Sequence, residues 1–294
     1  MHSGIATIVG RPNVGKSSLL NALVGRKVSI VSHKPQTTRH RIQGVLHHER
    51  GQIVFVDTPG LHRQQKRALN RVMNEAAAHA LQDIDMALFV VEAGRWTDED
   101  QAVLQRLKGS RTPVALVINK IDLIRDREKL LPELQRLAGL HDFAFIVPLS
   151  ALRNENLKSL TNEILTRLPE GPPLYPEDMV VGHDERFAAS ETVREKLIRS
   201  LHEELPYASA VEIEQFELDG EMYRIGAIIW VEREGQKRIV IGEDGAQLKQ
   251  IGTAARRDLE KQLGAKVFLR LWCKVRENWS DDLRSLRQFG LTQD

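Results

Sequence analysis

The chain reads as two domains of different class: an α/β unit on a mostly parallel, doubly wound sheet, then a smaller α+β unit. Three observations predict this. Strand-length apolar runs alternate with helix-period segments up to about residue 168. Beyond residue 176 the order becomes helix, hairpin, two helices and strand. Between them, four of the 11 prolines fall at Pro169, Pro172, Pro173 and Pro176, a stretch that cannot continue a helix and reads as an extended, semi-rigid linker. The expected domains are therefore 1–168 and 177–294, joined by 169–176, and 294 residues allow each a core of its own.

In the first domain, strands are expected at 5–9, 41–46, 53–57, 86–91, 114–119 and 143–148. Helices fit at 17–23, 68–81, 99–107, 127–138 and 156–167. Residues 47–52 are too few for a crossover helix, so the second and third strands should pair antiparallel. In the second domain a helix fits at 185–203, strands at 210–218 and 223–232 flank an Asp219-Gly220 turn, and short and long helices fit at 236–241 and 246–263. A strand at 266–275 closes the order.

Composition narrows the class. Aromatic residues make up 5% and charged residues 28%, as in an α/β protein outside the membrane. No apolar run approaches the ~18 residues of a transmembrane helix. A strand begins almost at once, so no targeting segment is expected and the cytoplasm is the expected compartment. The single cysteine, Cys273, has no internal disulfide partner and reads as a small, inert apolar residue. The net charge of +2 hides a pattern: residues 1–168 hold 24 basic and 16 acidic side chains, 177–232 hold 5 and 14, and 233–276 hold 11 and 5. A basic block inside an acidic domain suggests a local anion-binding face.

Four segments carry the chemistry. Gly10-Arg11-Pro12-Asn13-Val14-Gly15-Lys16-Ser17-Ser18 follows a strand and opens a helix, where backbone N–H groups can cradle phosphates. Lys16 would reach the β- and γ-phosphates, and the Ser17 hydroxyl would bind Mg²⁺. Asp57-Thr58-Pro59-Gly60, 40 residues after Ser17, places a carboxylate for Mg²⁺ and the Gly60 N–H for the γ-phosphate, with Leu61 beyond it. Thr37 or Thr38, in a polar stretch, can give a hydroxyl to the same ion. Asn119-Lys120-Ile121-Asp122 selects the base: the Asp122 carboxylate accepts from guanine N1–H and the exocyclic amine, which adenine cannot match. Lys120 would lie along the base, Asn119 would tie this loop to the phosphate loop, and Ser150-Ala151 would offer the Ala151 N–H to the guanine oxygen. The expected ligands are GTP or GDP with Mg²⁺, with Lys16, Gly60, one of the two threonines and Asn13 as the groups closest to hydrolysis. Leu61 can neither orient water nor accept a proton, so intrinsic hydrolysis is expected to be slow.

In the second domain Ile241-Gly242-Glu243-Asp244-Gly245, set between two helices, matches the Gly-x-x-Gly loop of a type II KH domain, which clamps the backbone of single-stranded nucleic acid. Lys249, Arg256, Arg257, Lys261, Lys266, Arg270, Lys274 and Arg276 are the anion-contact candidates. Glu243 and Asp244 put two carboxylates beside that clamp, so affinity should lean on the basic helix and strand.

Taken together, the phosphate loop, Pro35-Gln-Thr-Thr38-Arg39, Asp57-Thr-Pro-Gly-Leu61, Asn119-Lys-Ile-Asp122, the run from Ile239 through Leu271-Trp-Cys-Lys-Val275 and the tail Trp279-Ser-Asp-Asp-Leu-Arg284…Phe289-Gly290 resemble the bacterial Era family over nearly the whole chain. That resemblance implies a Ras-like P-loop GTPase domain followed by a type II KH domain that binds near the 3′ end of small-subunit ribosomal RNA. It implies a role in small ribosomal subunit assembly, and a cytoplasmic protein partly associated with the inner membrane surface; monomer is the default expectation. It selects Thr38 over Thr37, because the family threonine directly precedes an arginine. It leaves Asn13 with two readings: ligand of a K⁺ ion placed like an arginine finger, or a plain loop residue.

Overall fold

The computed structural model describes the chain except residues 32–41, 58–67, 70, 73–83, 127, 129, 178, 180–183, 202–204, 206–207, 290 and 292–294. It comprises two compact units: Met1–His62 with Met73–Gly182, and Arg63–Val72 with His183–Asp294.

The first unit is a six-stranded sheet in the order β2-β3-β1-β4-β5-β6. Its strands are β1 (His2–Val9), β2 (Ile42–His48), β3 (Gly51–Asp57), β4 (Met86–Glu92), β5 (Val114–Asn119) and β6 (Ile146–Pro148). All neighbours pair parallel except β2 and β3, whose antiparallel register runs from Ile42↔Asp57 to His48↔Gly51. Only Glu49 and Arg50 separate those two strands, which leaves no room for a crossover. The helices are α1 (Lys16–Val24), α2 (Asp98–Lys108), α3 (Leu130–Ala138) and α4 (Leu157–Leu165). The run Met86–Val91 is fully buried, as a central parallel strand covered on both faces should be. Its Ala87, Phe89 and Val91 pack with Leu104 and Leu107 of α2 and with Leu116 and Ile118 of β5.

Chain order reverses at β1, with β3 on one side and β4 on the other. The crevice beyond the carboxyl ends of such strands is the natural ligand position. The phosphate loop follows β1, Asp57 ends β3, Asn119 ends β5 and Ser150-Ala151 follow β6, so the topology delivers these residues to one edge of the sheet. The helix expected at 68–81 lies largely outside the described residues; Ala68, Leu69, Arg71 and Val72 of it are helical. Strand β6 is shorter than expected, because Phe143–Phe145 enter it through isolated backbone bonds such as Leu116 N–H to Phe145 O.

The proline-rich stretch is strapped to the first unit. Ser3 N–H donates to Pro169 O, Gly171 N–H to Met1 O, and the Gln52 side chain accepts from Leu174 and Tyr175 N–H while donating to Tyr175 O.

In the second unit α5 (Glu185–Ser200) precedes the hairpin β7 (Ser209–Asp219) and β8 (Met222–Val231), then α6 (Glu234–Ile241), α7 (Ala246–Leu263) and β9 (Lys266–Val275). β8 pairs antiparallel with β7 and parallel with β9. Val193 and Leu197 of α5, Ala227, Ile229 and Val231 of β8, Val240 of α6, and Ile251 and Ala255 of α7 form its core. After β9 the tail folds back: the fully buried Trp279 donates its Nε1–H to Ala208 O, and its ring meets Phe289 edge-on at 5.5 Å. A last helix, α8 (Leu283–Gln288), is capped by Asp282.

Candidate functional site

The phosphate loop runs from Gly10 to Gly15 between β1 and α1. Gly10 has φ 155° and Gly15 φ 96°. A Cβ at Gly10 would fall 2.3 Å from Val90 O, and one at Gly15 2.4 Å from the Asn119 amide nitrogen. Glycine is therefore required twice, by conformation and by close approach. Asn13 takes a left-handed φ of 65°, which asparagine tolerates. The Lys16 Nζ donates to Gly10 O and Arg11 O, both at 2.9 Å, so the ammonium is held inside the loop. Burial pushes the Lys16 amine below its ordinary value, with the Asp57 charge opposing.

At the head of α1 the Ser17 hydroxyl donates to Asp57 Oδ2 at 2.9 Å, and the Ser29 hydroxyl donates to the same oxygen at 3.1 Å. A hydroxyl and a carboxylate at this separation are a hard-oxygen pair suited to Mg²⁺, which takes few protein ligands and completes its shell with phosphate and water. Ser29 was not flagged by sequence reasoning. It is set by Asn21, whose Oδ1 accepts from Val28 and Ser29 N–H and whose Nδ2 donates to Ser29 O. Thr37, Thr38, Thr58, Pro59, Gly60 and Leu61 lie outside the described residues.

Asn119, 2% exposed, joins three loops. Its Nδ2 donates to Val14 O at 2.8 Å and its Oδ1 accepts from Ala151 N–H at 3.0 Å. Ser150 Oγ donates to Asp122 Oδ1 at 2.5 Å, fixing one carboxylate oxygen. Lys120 sits at φ 66° and its Nζ lies 3.1 Å from Glu92 Oε2. That same oxygen accepts from Arg11 Nη2 at 3.2 Å, while Arg11 Nε donates to Asp100 Oδ2 at 3.0 Å. The Arg11 side chain is thus committed to these two ion pairs and to Pro12 O, 3.4 Å from its Nη1. Burial alone would push the Glu92 carboxyl up, but the bonds and charges of Lys120 and Arg11 outweigh it and hold it below the ordinary value. Glu92, Asp100, Asn21 and Ser29 are scattered singly along the chain, so no motif announces them.

In the second unit Gly242 has φ 74°, Asp244 φ 49° and Gly245 φ 79°. A Cβ at Gly242 would lie 2.6 Å from the Gln247 Cβ. Glu243 and Asp244 are both exposed at the turn, with Ile241 half-buried behind them. Lys249, Arg256 and Arg257 are exposed on α7 and Lys274 on β9. The basic block is not one face, since the α7 cations and the β9 cations belong to opposite sides of the sheet.

Residues 5–120 match a family model described as a 50S ribosome-binding GTPase, and residues 204–280 match the KH domain. The chain is 54% identical over 289 residues to GTPase Era of Stenotrophomonas maltophilia, covering 98% of this chain and 97% of that one. It is 54% identical over 288 residues to GTPase Era of Xanthomonas oryzae pv. oryzae, covering 98% and 96%. A crystal structure of Aquifex aeolicus Era bound to GDP·AlF4⁻ superposes with a TM-score of 0.95 at 42% identity, over 100% of both chains. One of Era with MgGDPNP and nucleotides 1506–1542 of 16S ribosomal RNA gives 0.96 at 42% identity, again over 100% of both.

Proposed function

The chain belongs to the Era family of GTPases, and on that premise we propose a switch whose GTP state engages the 3′ end of small-subunit ribosomal RNA during assembly of the small subunit. The observation that carries the nucleotide half is Asn119, which links the phosphate loop at Val14 to the base loop at Ala151. One side chain then makes phosphate and guanine binding a single event. In this reading Gly10–Ser18 cradle the phosphates, and Lys16 neutralises the β- and γ-groups. Ser17, Asp57 and Thr38 hold Mg²⁺, Gly60 senses the γ-phosphate, and Asp122 with Ala151 reads guanine. The magnesium ion, when bound, offsets charge developing on the phosphates. The protein's part is positioning: the backbone N–H groups of the Gly10–Gly15 loop, Pro12 aside, would meet the phosphates, and Lys16 is already held within the loop.

We assign domains 1–168 and 177–294 to GTPase and RNA binding, with the Gly242–Gly245 turn clamping the RNA backbone. The relative solved with a 16S ribosomal RNA segment supports this, as does the KH match over residues 204–280. Exposed Glu243 and Asp244 favour a second reading, a protein-docking module. A titration separates them: an oligonucleotide copying the 3′ end of small-subunit ribosomal RNA against a scrambled one, with GTP analogue or GDP, at two salt concentrations. Tighter, sequence-selective and salt-sensitive binding in the GTP form is the expected result. Equal weak binding to both sequences would favour docking.

We further propose that Asn13 ligates K⁺ and so compensates for Leu61. Single-turnover hydrolysis should be faster in K⁺ than in Na⁺, and equal rates would return Asn13 to a loop role. Among the described residues no helix is long and apolar enough to cross a membrane; the proposed membrane association is peripheral, and vesicle co-sedimentation tests it.

A further inference from the structure

Strand β9 alternates strictly. Val267, Leu269, Leu271, Cys273 and Val275 pack inward against the helices, and Leu271 lies 3.3 Å from where a Cβ on Gly252 of α7 would stand. Lys266, Phe268, Arg270, Trp272 and Lys274 are exposed and, by the pleat, point to the opposite face. On that face Phe268 and Trp272 are 40% and 38% exposed. Exposed aromatics grouped on one face and rimmed by polar side chains are the kind of patch that marks an interaction site.

Their neighbours specify the contact. Arg224 of β8 pairs across from Phe268, and its guanidinium carbon lies 5.8 Å from the ring centroid; that of Arg270 lies 5.2 Å away. Lys274 pairs across from Trp230, with its Nζ 5.9 Å from that ring. Trp272 crosses onto β8: a Cβ on Gly226 would be 3.1 Å from its Cζ3. The missing side chain at Gly226 lets the indole come down on the sheet. Flat aromatic rings flanked by cations stack bases and neutralise phosphates, independently of sequence. Acidic groups bound the surface on the β7 side, where Asp219 pairs with Arg224 at 2.6 Å and Glu212 accepts from Trp230 Nε1 at 2.7 Å. Among the described residues these carboxylates lie toward β7, where the tail's Phe289 also meets Trp230 at 6.1 Å, while Arg270 and Lys274 lie on β9, so the β9 side favours an anionic strand.

We propose that the outer face of β8 and β9 is a second single-stranded RNA contact, with bases stacking on Trp272 and Phe268 and Arg270 and Lys274 meeting the phosphates. It rests on the RNA-binding reading of the second unit but uses the sheet face opposite α7. The experiment takes the full chain with GTP analogue and two 3′-end oligonucleotides, one about four nucleotides long to fill only the clamp and one several times longer. Trp272→Ala and Phe268→Ala should weaken the long RNA roughly five- to hundredfold and leave the short one unchanged, and Trp272→Tyr should recover most of the loss. Ultraviolet cross-linking of the unaltered protein should attach the long RNA to the peptide spanning 268–274, which guards against a variant that fails to fold. Long-RNA affinity indifferent to both substitutions, with no cross-link there, overturns this surface and spares the clamp. Failure of the unaltered protein to bind either RNA overturns the RNA reading itself, and this surface with it.

Discussion

Replacing Glu92 by glutamine tests whether the link between phosphate loop and base loop serves the ligand or only the fold. One carboxylate oxygen accepts from Arg11 at 3.2 Å and from Lys120 at 3.1 Å. A hydrogen bond to a charged group contributes about 1.5–3 kcal/mol, a neutral one about 1 kcal/mol. Glutamine keeps the shape and loses the charge, and Arg11 retains Asp100 as its other partner. Lys120, 30% exposed, is partly screened. The net loss at the Lys120 loop is then about 1–2 kcal/mol, which is about 5- to 30-fold in nucleotide affinity. Because the Glu92 carboxyl is held low, its stabilising share is complete above the ordinary glutamate value and is lost only as pH falls through the folded value. Neutral pH therefore reads the full effect. Stopped-flow release of a fluorescent GDP analogue should speed up by that factor, with melting of the nucleotide-free protein measured in parallel. An unchanged release rate beside a lowered Tm would refute the argument and reduce the network to scaffolding.

Asp122→Asn should shift preference from guanine toward xanthine nucleotides, because the amide can donate where the carboxylate accepts; unchanged GTP selectivity in competition binding would remove the base assignment. Gly15→Ala should cost about 1–3 kcal/mol from the left-handed backbone alone, plus the collision with Asn119, and should abolish detectable GDP binding by calorimetry. The Cys273 thiol is pushed up to about 11, chiefly by burial. Its alkylation at pH 8 should therefore run roughly a hundredfold slower than that of a free thiol near 9. Because the folded state keeps that proton longer than the unfolded one, its share of stability declines as pH rises above about 9.

The motifs of the proposed nucleotide site could be read because they are written in contiguous runs. A backbone cradle needs glycines within one turn, and a guanine reader needs its asparagine and aspartate on one loop. The groups that hold those runs in place obey no such spacing. Glu92 ends a strand, Asp100 lies in the first turn of α2 and caps with Thr97, and Asn21 of α1 sets Ser29, whose hydroxyl braces Asp57. Each is an ordinary polar residue until the fold brings it beside a motif.

Charge counting misled in the second unit for a related reason. Residues 233–276 carry a basic excess, which sequence alone treats as one surface. A helix and a strand distribute side chains by different periods. The 18-residue α7 packs on the inner face of the sheet through Ile251, Ala255 and Leu259 and turns Arg256 and Arg257 to solvent. Ten residues of β9 instead send every second side chain to the outer face. Arg257 and Arg270 therefore cannot grip the same few nucleotides from one side of the sheet. A single strand that uses both must pass around the β9 edge, and a clamp-sized oligonucleotide should leave the outer cations untouched. RNA length, more than RNA sequence, is then the variable to which Arg270 should respond: Arg270→Glu should reduce the salt slope by about 1 for a long strand and leave the slope for a four-nucleotide one unchanged.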